Sequence, residues 1–599
     1  MKNTLELKQF VNDDDFIQNM NIAFSDLRAD YELTMDSSDT KIAELTALHV
    51  DIKNHLSDLT AFSRNSSGTI SGLRGTGKTH LLLLARNNIN SSLWKDAKSN
   101  NLCIYLNMKR ICIPETFSQD LYNRIFSVYI YNELAKQLLQ ILLTFVKDTV
   151  INRLLSKFDY TEKKLKKNIE LVIKNLYEMQ IIARNGNEIY NSLSTGTCEA
   201  EEYDHTLINL TTKLNETLSL QKFEAGIQID MEYLNELSHR LKTNNTYTQF
   251  LNFQSVRHHL IDIINLLQLD SITFYVDEWE KISYNPLIQE YTSFYIDRIQ
   301  DTPLYFWISI VPYRGNLYYL DNGADLQHQI NLDDSLVYEA SDRDRILCLT
   351  YFKNLINNRL SFYFNNEDIN YNLLFNNDEN FEKLVLAGMG NTRDFGTMLL
   401  KCWSEYQTYR NSPMAQGRPY KYIAQPMIVE AIKDNGDKKM TNIQNNPNTM
   451  KAWNDVKNFC LQKKSSHFSI EENGEDLECF RAPEFSDLIY HRLLHFRKAH
   501  VPAKDAETEN KLSIYAINYA AIYSLHAQDR KITFVTKYEL IHDRVRRYIY
   551  KPSVVLNDIK VATGEIFPCI NCRAPINVTK MKAAWEKNSC PFCGDVIHN

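Results

Sequence analysis

A short segment near residue 75 combines residue types that bind phosphate groups. In SGLRGTGKTHLLLL (71–84), Gly72 is followed by four residues and then by Gly77, Lys78 and Thr79. Glycines at this spacing let successive backbone N–H groups face phosphate oxygens, while the lysine neutralises charge and the hydroxyl ligates Mg²⁺. The flanking segments SGTISG and THLLLLARNN predict a strand and a helix, whose N-terminus favours an anion. We therefore predict a phosphate-binding loop rather than a glycine turn before a buried helix, with nucleotide contacts from Gly72, Gly75, Thr76, Gly77, Lys78, Thr79 and His80.

Two adjacent carboxylates follow an apolar run farther along the chain. In SITFYVDEWEK, residues 272–276 are apolar and are followed by Asp277 and Glu278. Such a run predicts a buried parallel strand, whose carboxyl end would lie beside the phosphates. In that position Asp277 would hold Mg²⁺ and Glu278 would polarise the attacking water. The alternative is a solvated acidic pair that follows a core strand.

Polar residues also follow the next predicted strand and open a later helix. The run PLYFWISIVPYR predicts a core strand that ends near Ser309, with Arg314 just beyond it. Ser309 could sense the γ-phosphate and Arg314 could face a nucleotide, although a tolerated serine and a solvated arginine are the simpler alternatives. In LAGMGNTRDFGTMLLKCW, Arg393 lies in the first turn of a predicted helix. From a lid, this arginine could reach a phosphate.

Four cysteines near the C-terminus have the spacing of a zinc site. Cys569 and Cys572 form one pair, and Cys590 and Cys593 form a second pair after 17 intervening residues. Four thiolates at this spacing bind one tetrahedral Zn²⁺, with no open position for water, so the metal would be structural. The alternative is a set of unligated core cysteines. Zinc ribbons bind nucleic acid or protein, and the sequence leaves both open.

The composition narrows the class of protein. At 599 residues the chain is too long for one core, and its 17 glycines and 14 prolines favour long helices over a turn-rich β fold. The formal charge of −7 excludes a chain that is basic overall, so any DNA contact would need a local patch. The apolar runs fall short of the roughly 20 residues that span a membrane, and the other cysteines are scattered singly. We expect a cytoplasmic protein without a membrane segment.

These motifs together resemble those of AAA+ ATPases. A P-loop, an apolar strand ending in Asp-Glu, a strand with a polar tip and a helical lid opening with G-x-x-R follow one another between residues 68 and 409. Within this class they resemble the origin-recognition-like initiator clade and its signal-transducing relatives. Matched residue by residue, the resemblance assigns Lys78 and Thr79 to Walker A, Asp277 and Glu278 to Walker B, Ser309 to sensor one and Arg393 to sensor two.

The resemblance implies ATP and Mg²⁺ as ligands, ATP hydrolysis, and a homo-oligomer or a complex with an effector protein. Arg314 would act on a neighbour's nucleotide or complete the site of its own chain. Bacterial proteins of this type are often encoded with phage-defence systems or mobile elements, so we expect an ATP-driven switch or motor in such an assembly. A DNA-binding initiator or transposition regulator and a non-catalytic, nucleotide-locked scaffold remain alternatives. The glutamate at position 278 favours hydrolysis over the scaffold.

The predicted fold class is α/β, with a P-loop AAA+ core built on a parallel sheet. Thr79 and Asp277 are 198 positions apart, whereas a compact arrangement needs about 60 residues. We attribute the excess to a helical insertion whose apolar face includes Leu134, Leu138, Leu142, Val146 and Val150, and which packs on the core or binds a partner. The predicted units are an N-terminal segment (1–67), the ATPase core (68–330, with the insertion at about 122–227), a helical lid (331–433), a winged-helix-like domain (450–555) and a zinc ribbon (565–599).

The weakest sequence patterns lie after the predicted lid. The polar run at 434–449 predicts a linker or an exposed connection. FSDLIYHRLLHFRK, SIYAINYAAIYSLHA and KITFV predict a helix, a helix and a strand, as in a winged-helix domain. The segment HDRVRRYIYK clusters four cations that contact DNA phosphates or lie on a solvated helix, namely Arg544, Arg546, Arg547 and Lys551.

Overall fold

The protein is α/β, with a five-stranded parallel sheet and many helices. The computed structural model describes residues 6–10, 13–25, 39–94, 99–147, 162–183, 252–366, 368–375, 377–412, 420–472, 475–504 and 511–598. In that part of the chain, every helix is too short or too polar to cross a membrane. The predicted domain boundaries stay predictions.

The elements are numbered in chain order. The strands are β1 (Gly68–Ser71), β2 (Asn101–Asn107), β3 (Ser271–Asp277), β4 (Leu304–Ile310), β5 (His328–Asn331), β6 (His467–Glu471), β7 (Leu494–Pro502), β8 (Lys511–Ile517), β9 (Ile566–Pro568) and β10 (Pro575–Asn577). The α-helices are α1 (Asp14–Ser25), α2 (Asp39–Leu48), α3 (His55–Phe62), α4 (Lys78–Ser91), α5 (Gln119–Lys147), α6 (Glu162–Ala183), α7 (Phe253–Leu267), α8 (Pro286–Ile299), α9 (Asp342–Phe364), α10 (Tyr371–Leu374), α11 (Asp378–Gly388), α12 (Thr392–Arg410), α13 (Gln425–Thr441), α14 (Pro447–Lys463), α15 (Glu475–Glu478), α16 (Pro483–Tyr490), α17 (Tyr538–Asp543), α18 (Pro552–Ala562) and α19 (Lys582–Glu586). Short 3₁₀ segments cover Leu7–Phe10, Met108–Arg110, Trp279–Ile282, Cys479–Arg481 and Val545–Arg547, and Ser524–Gln528 is a π-helix.

The parallel sheet has the strand order β2-β3-β4-β1-β5. The strands predicted from SGTISG, at 272–276 and near Ser309 are confirmed, because β1, β3 and β4 cover them. β4 pairs with both β1 and β3, so it separates the strand before the glycine-rich loop from the strand that ends in the carboxylates. Since parallel strands end at the same edge of a sheet, this order gathers the predicted phosphate and acidic residues at one edge.

Apolar side chains cover both faces of this sheet. Every residue of β2 and β3 is buried, as near-continuous apolar strands of parallel sheets are. On one face Leu81, Leu82 and Leu84 of α4 join the core, and on the other face helices α5, α7 and α8 cover the strands. Phe274 and Phe306 stack between neighbouring strands with ring centroids 5.0 Å apart. The sheet is thereby a rigid support for the residues at its carboxyl edge.

The insertion begins with two long helices, α5 and α6. Leu134, Leu138 and Leu142 of the predicted apolar face are buried in the same core as β2 and β3. The side chains of Val146 and Val150, and the residues 184–251, lie outside the described part of the chain. Within the described part, α5 packs on β2, and α6 packs on α5 and α7, in agreement with the packing interpretation of the insertion.

The linker predicted at 434–449 is wrong, because α13 and α14 cover most of it. Its polar residues lie on helices that each bury one face: Ile428, Ala431 and Ile432 of α13 belong to the core. Asn446 caps α14 by accepting hydrogen bonds from the two backbone N–H groups of Asn448 and Thr449, at 3.2 Å each. Composition alone could not separate a linker from helices with wide solvated faces.

The helix predicted from SIYAINYAAIYSLHA is also wrong at its start, where β8 forms the centre of an antiparallel sheet of order β6-β8-β7. Its residues Leu512–Ile517 are buried on both faces, which favours the β-branched and aromatic side chains found there. FSDLIYHRLLHFRK divides into α16 and β7, separated at Arg492, whose φ is 59°. In KITFV only an isolated bridge from Thr533 to Ser465 forms. The winged-helix assignment stays a prediction.

Candidate functional site

The glycine-rich loop joins β1 to α4 and closes around the side chain of Lys78. The Lys78 Nζ donates hydrogen bonds to the carbonyl oxygens of Gly72 and Leu73, at 2.7 and 3.2 Å. Gly75 and Gly77 have φ of +89° and +98°, which other residues rarely adopt. A Cβ atom on Gly75 would lie 2.6 Å from Cβ of Arg393, so glycine is required there by the close approach of the lid as well. The loop therefore encloses the ammonium group of Lys78, which is held by the two carbonyl oxygens.

Hydroxyl and carboxylate oxygens meet at the end of β3. Thr79 Oγ1 donates a hydrogen bond to Oδ2 of Asp277 at 2.6 Å, and the Tyr105 hydroxyl donates to the same oxygen at 2.8 Å. The backbone N–H of Glu278 donates to the other carboxylate oxygen at 2.9 Å. Hydroxyl and carboxylate oxygens are the hard donors that Mg²⁺ prefers, so Thr79 and Asp277 fit that ion. Asp277 is 1% exposed, which keeps bulk water from competing with these contacts.

Glu278 follows in a left-handed conformation with φ of 60°, which turns the chain sharply at the strand end. Burial, followed by the charges of Glu280 and Asp277, raises the pKa of Glu278 to about 7. A carboxylate with a pKa near neutrality is a better proton acceptor than an exposed one. Glu280 lies on the short helix Trp279–Ile282 and is also buried, so two carboxylates besides Asp277 face the same space.

A cavity of about 270 Å³ lies beside these residues. Its walls include the loop residues Arg74 to His80, both carboxylates of the Asp-Glu pair and Arg393. Further walls come from segments that the sequence did not single out: residues 48–52 near the N-terminus, His55, and Tyr351, Leu355 and Arg359 on α9. No local motif marks these residues, because they converge from distant parts of the chain.

Two histidines form one wall of the cavity. His80 Nε2 and His49 Nδ1 share a hydrogen bond of 3.2 Å, and their rings stack with centroids 5.2 Å apart. Burial, then the neighbouring His49 and Arg359, lowers the pKa of His80 to about 3. His80 is therefore neutral at physiological pH. One of its ring nitrogens can donate a hydrogen bond and the other can accept one.

The N-terminus of α12, in the predicted lid, contacts the loop. Asn391 caps this helix by accepting from the backbone N–H of Asp394 at 3.1 Å, and its amide donates to the Arg74 carbonyl at 2.9 Å. The Arg393 N–H donates to the carbonyl of Gly75 at 3.2 Å. Burial, and then the charge of Arg492, lowers the pKa of Arg393, whose side chain lines the cavity. The structure thus brings Arg393 to the predicted loop.

Ser309 and Arg314 do not reach the cavity wall. Ser309 is fully buried in β4, and its hydroxyl has no hydrogen-bond partner among the described residues. Arg314 forms an ion pair with Asp487, and its guanidinium carbon lies 3.9 Å from the centroid of the Tyr490 ring on α16. Arg314 therefore joins the region of the parallel sheet to the C-terminal region of its own chain. Its predicted action on a nucleotide stays a prediction.

The four predicted cysteines form a separate cluster. Their Sγ atoms all lie within 4.8 Å of one another, and the pairs Cys569–Cys593 and Cys572–Cys590 are 3.7 Å apart. Thiolates bound to one tetrahedral Zn²⁺ at about 2.3 Å lie about 3.8 Å from one another, whereas a disulfide requires about 2.0 Å. The cluster fits zinc, and the β9–β10 hairpin supplies its first knuckle.

Replacing Cys590 with serine should release the zinc and leave the cavity beside the glycine-rich loop intact. The cluster has its own small core, separate from that of the parallel sheet, so only the ribbon should lose structure. We expect about one zinc per chain in the wild type and a large loss in the variant, measured by elemental analysis. Cys479→Ser, outside the cluster, is the matched control. A wild-type chain without zinc, or a variant that loses ATP binding, would contradict the assignment.

The basic segment near residue 546 is only partly available to DNA. Arg546 is buried, and its guanidinium donates to the carbonyl oxygens of His542 and Pro502 at 2.8 and 3.0 Å. Its predicted phosphate contact is therefore wrong, since the side chain holds two chain segments together. Arg544, Arg547 and Lys551 are exposed. A DNA contact through these three cations stays a prediction.

Comparisons with known proteins give only distant similarities. No protein-family model and no curated protein match the chain. Among solved structures, the chain is similar to the ORC1 protein of Aeropyrum pernix in complex with DNA, with 10% identity, a TM-score of 0.30 and coverage of 81% of this chain and 96% of that chain. It is also similar to the ORC2 protein of the same organism, solved as ADPNP-ADP complexes, with 9% identity, a TM-score of 0.33 and coverage of 90% and 98%.

Proposed function

We propose that this protein is an ATPase that binds ATP with Mg²⁺ between its parallel sheet and its lid, and hydrolyses it. The observation that carries the proposal is the convergence of Lys78, Thr79, Asp277 and Glu278 on one cavity at the carboxyl edge of the sheet. These residue types perform the separate tasks of phosphoryl transfer to water: charge neutralisation, cation binding and activation of water.

Each residue has a distinct task in this reaction. Lys78 exchanges its two loop carbonyls for the β- and γ-phosphate oxygens, whose charge makes them the stronger acceptors. Thr79 and Asp277 would hold Mg²⁺, which neutralises negative charge on the phosphates when it is bound. Glu278 orients a water molecule and accepts its proton, for which its raised pKa suits it. Arg393 adds a positive charge from the lid.

The position of the nucleotide supports a switch. The lid contacts the loop through Arg393 and Asn391, so ATP would lie between two rigid parts of the chain. A ligand that contacts both parts better in one arrangement shifts the population toward that arrangement. Hydrolysis would then remove those contacts and reset the equilibrium. Roles in a multi-protein assembly, in phage defence or in control of mobile DNA stay predictions from the resemblance.

Lys78→Ala tests ATP binding. Removal of the ammonium should weaken ATP affinity by at least about tenfold, because a charge-assisted contact to the phosphates is lost. Calorimetric titration of the full chain with a non-hydrolysable ATP analogue measures this change. Lys383→Ala is the control, since Lys383 forms a surface pair with Glu379 on α11 and should leave the affinity unchanged. Equal affinity in Lys78→Ala and the wild type would refute the proposed site.

A further inference from the structure

Strand β2 lies at the edge of the parallel sheet, and side chains satisfy the backbone groups on its outer side. Asn90 of α4 exchanges two hydrogen bonds of 2.8 Å with the N–H and carbonyl of Cys103. Gln137 of α5 does the same for Tyr105, at 2.9 and 2.7 Å. The Tyr129 hydroxyl does so for Asn107, at 2.8 Å for both bonds. Edge strands usually leave such groups to water or to another strand, so side chains of α4 and α5 here replace a neighbouring strand.

The middle residue of this series reaches the proposed cation site. The hydroxyl of Tyr105 donates to Oδ2 of Asp277, the same oxygen that accepts from Thr79. Tyr105 is 8% exposed and lines the cavity. Its hydroxyl therefore restrains the rotation of the carboxylate as a second donor to this oxygen. Partners of this kind orient a ligating carboxylate, and their loss typically weakens metal affinity 10- to 100-fold.

Helix α5 holds Tyr105 in this position from outside the sheet. The Gln137 amide is itself oriented, because its Nε2 also donates to the Glu133 carboxylate at 3.1 Å. Gln137 and Glu133 are both buried, so their geometry is set by packing rather than by solvent. A displacement of α5 along β2 would break the two bonds to the Tyr105 backbone and release its side chain. The insertion thus has a direct mechanical connection to Asp277.

We propose that Tyr105 is a positioning residue for Asp277, and that Gln137 of the insertion helix α5 sets the cation affinity of the nucleotide site by holding Tyr105. The inference rests on the proposed function, since it presupposes that Asp277 serves a nucleotide-bound cation. It adds a role for the insertion: a ligand or partner that moves α5 changes the affinity of the site for its divalent cation.

Tyr105→Phe tests the first step, with Mn²⁺ as the probe. The full chain is saturated with ADP, and Mn²⁺ binding is followed by electron paramagnetic resonance. We expect about tenfold weaker Mn²⁺ binding in Tyr105→Phe, with an unchanged ADP affinity in EDTA. Tyr275→Phe is the matched control: Tyr275 pairs with Tyr105 across the two strands, but its hydroxyl donates to Ser63. It should bind Mn²⁺ like the wild type. Wild-type Mn²⁺ affinity in Tyr105→Phe would overturn the proposal.

Gln137→Leu tests the connection to the insertion. It removes two side-chain bonds to the backbone of β2, as Asn90→Leu does at Cys103, and additionally the bond to Glu133, so Asn90→Leu controls for the loss of the backbone bonds. Only Gln137→Leu should weaken Mn²⁺ binding, by several fold. If both variants weaken Mn²⁺ binding equally, Gln137 has only a structural role. That result would overturn the proposal that Gln137 sets the cation affinity. If the ADP affinity of the wild-type chain does not depend on Mn²⁺, the proposed cation site itself is refuted. That outcome distinguishes a failure of the proposed function from a failure of this inference.

Discussion

Glu278→Gln should lower ATP turnover by about 10²-fold or more while ATP still binds. The amide keeps the shape of the side chain but cannot accept a proton from the attacking water. Binding should persist because the phosphate contacts come from the loop and from Lys78 rather than from Glu278. Phosphate release under saturating ATP measures turnover, and calorimetric titration measures affinity. Loss of both together would point to a disturbed fold instead of a lost base.

The neighbouring carboxylate supplies the control for this prediction. Glu280 is buried, lines the same cavity and raises the pKa of Glu278 by its charge. It lies on the short helix after the strand, whereas Glu278 directly follows Asp277. Glu280→Gln should therefore retain most of the turnover. If Glu280→Gln is inactive and Glu278→Gln is active, the base has been assigned to the wrong residue.

The parts of the site that follow one another in sequence were predictable. The loop, its flanking strand and helix, and the strand that ends in Asp277 and Glu278 each have a local pattern, and the structure contains these elements. Apolar runs of strand length and glycines at fixed spacing depend on neighbours in sequence, so they are visible without the fold. The meeting of Thr79 with Asp277 across 198 positions followed from placing both at the same sheet edge.

Other parts depend on contacts between distant segments and leave no local signal. In the sequence, Tyr105 resembles any core residue of a strand. Only the pairing of β2 with β3 in the structure shows that its hydroxyl contacts Asp277. Arg314 follows a strand as expected, yet its partner Asp487 comes from the C-terminal region. The wrong assignment of β8 also has a cause in the fold. A central strand that is buried on both faces lacks the alternation of apolar and polar residues that would distinguish it from a buried helix.

A buried ion cluster joins the lid to the C-terminal region. Asp394 follows Arg393 on α12, and its carboxylate lies 2.6 Å from Lys439 of α13 and 3.0 Å from Arg492. Burial raises the pKa of Asp394, but Arg492 and Lys439 outweigh burial and hold this pKa well below its usual range. Burial lowers the pKa of Lys439 to about 8 in spite of Asp394. The cluster is stable only while its anion balances the two cations.

Asp394→Asn should destabilise the folded chain by about 3–5 kcal/mol, because it leaves the buried Lys439 and the half-buried Arg492 without their anion. Urea unfolding followed by circular dichroism measures the change against the wild type. Lys438→Ala is the control: Lys438 is next to Lys439 in sequence, but it pairs with Asp434 on the solvated face of α13. Its loss should change stability by less than about 1 kcal/mol.

The pH dependence identifies the cause of that destabilisation. Since the pKa of Asp394 is lowered on folding, its contribution is complete above its unfolded pKa of about 3.9 and is lost as the pH falls below that value. The stability difference between the wild type and Asp394→Asn should therefore shrink as the pH falls below about 3.9. A difference that stays constant down to pH 3 would show that shape or hydrogen bonding, rather than charge, makes the residue necessary.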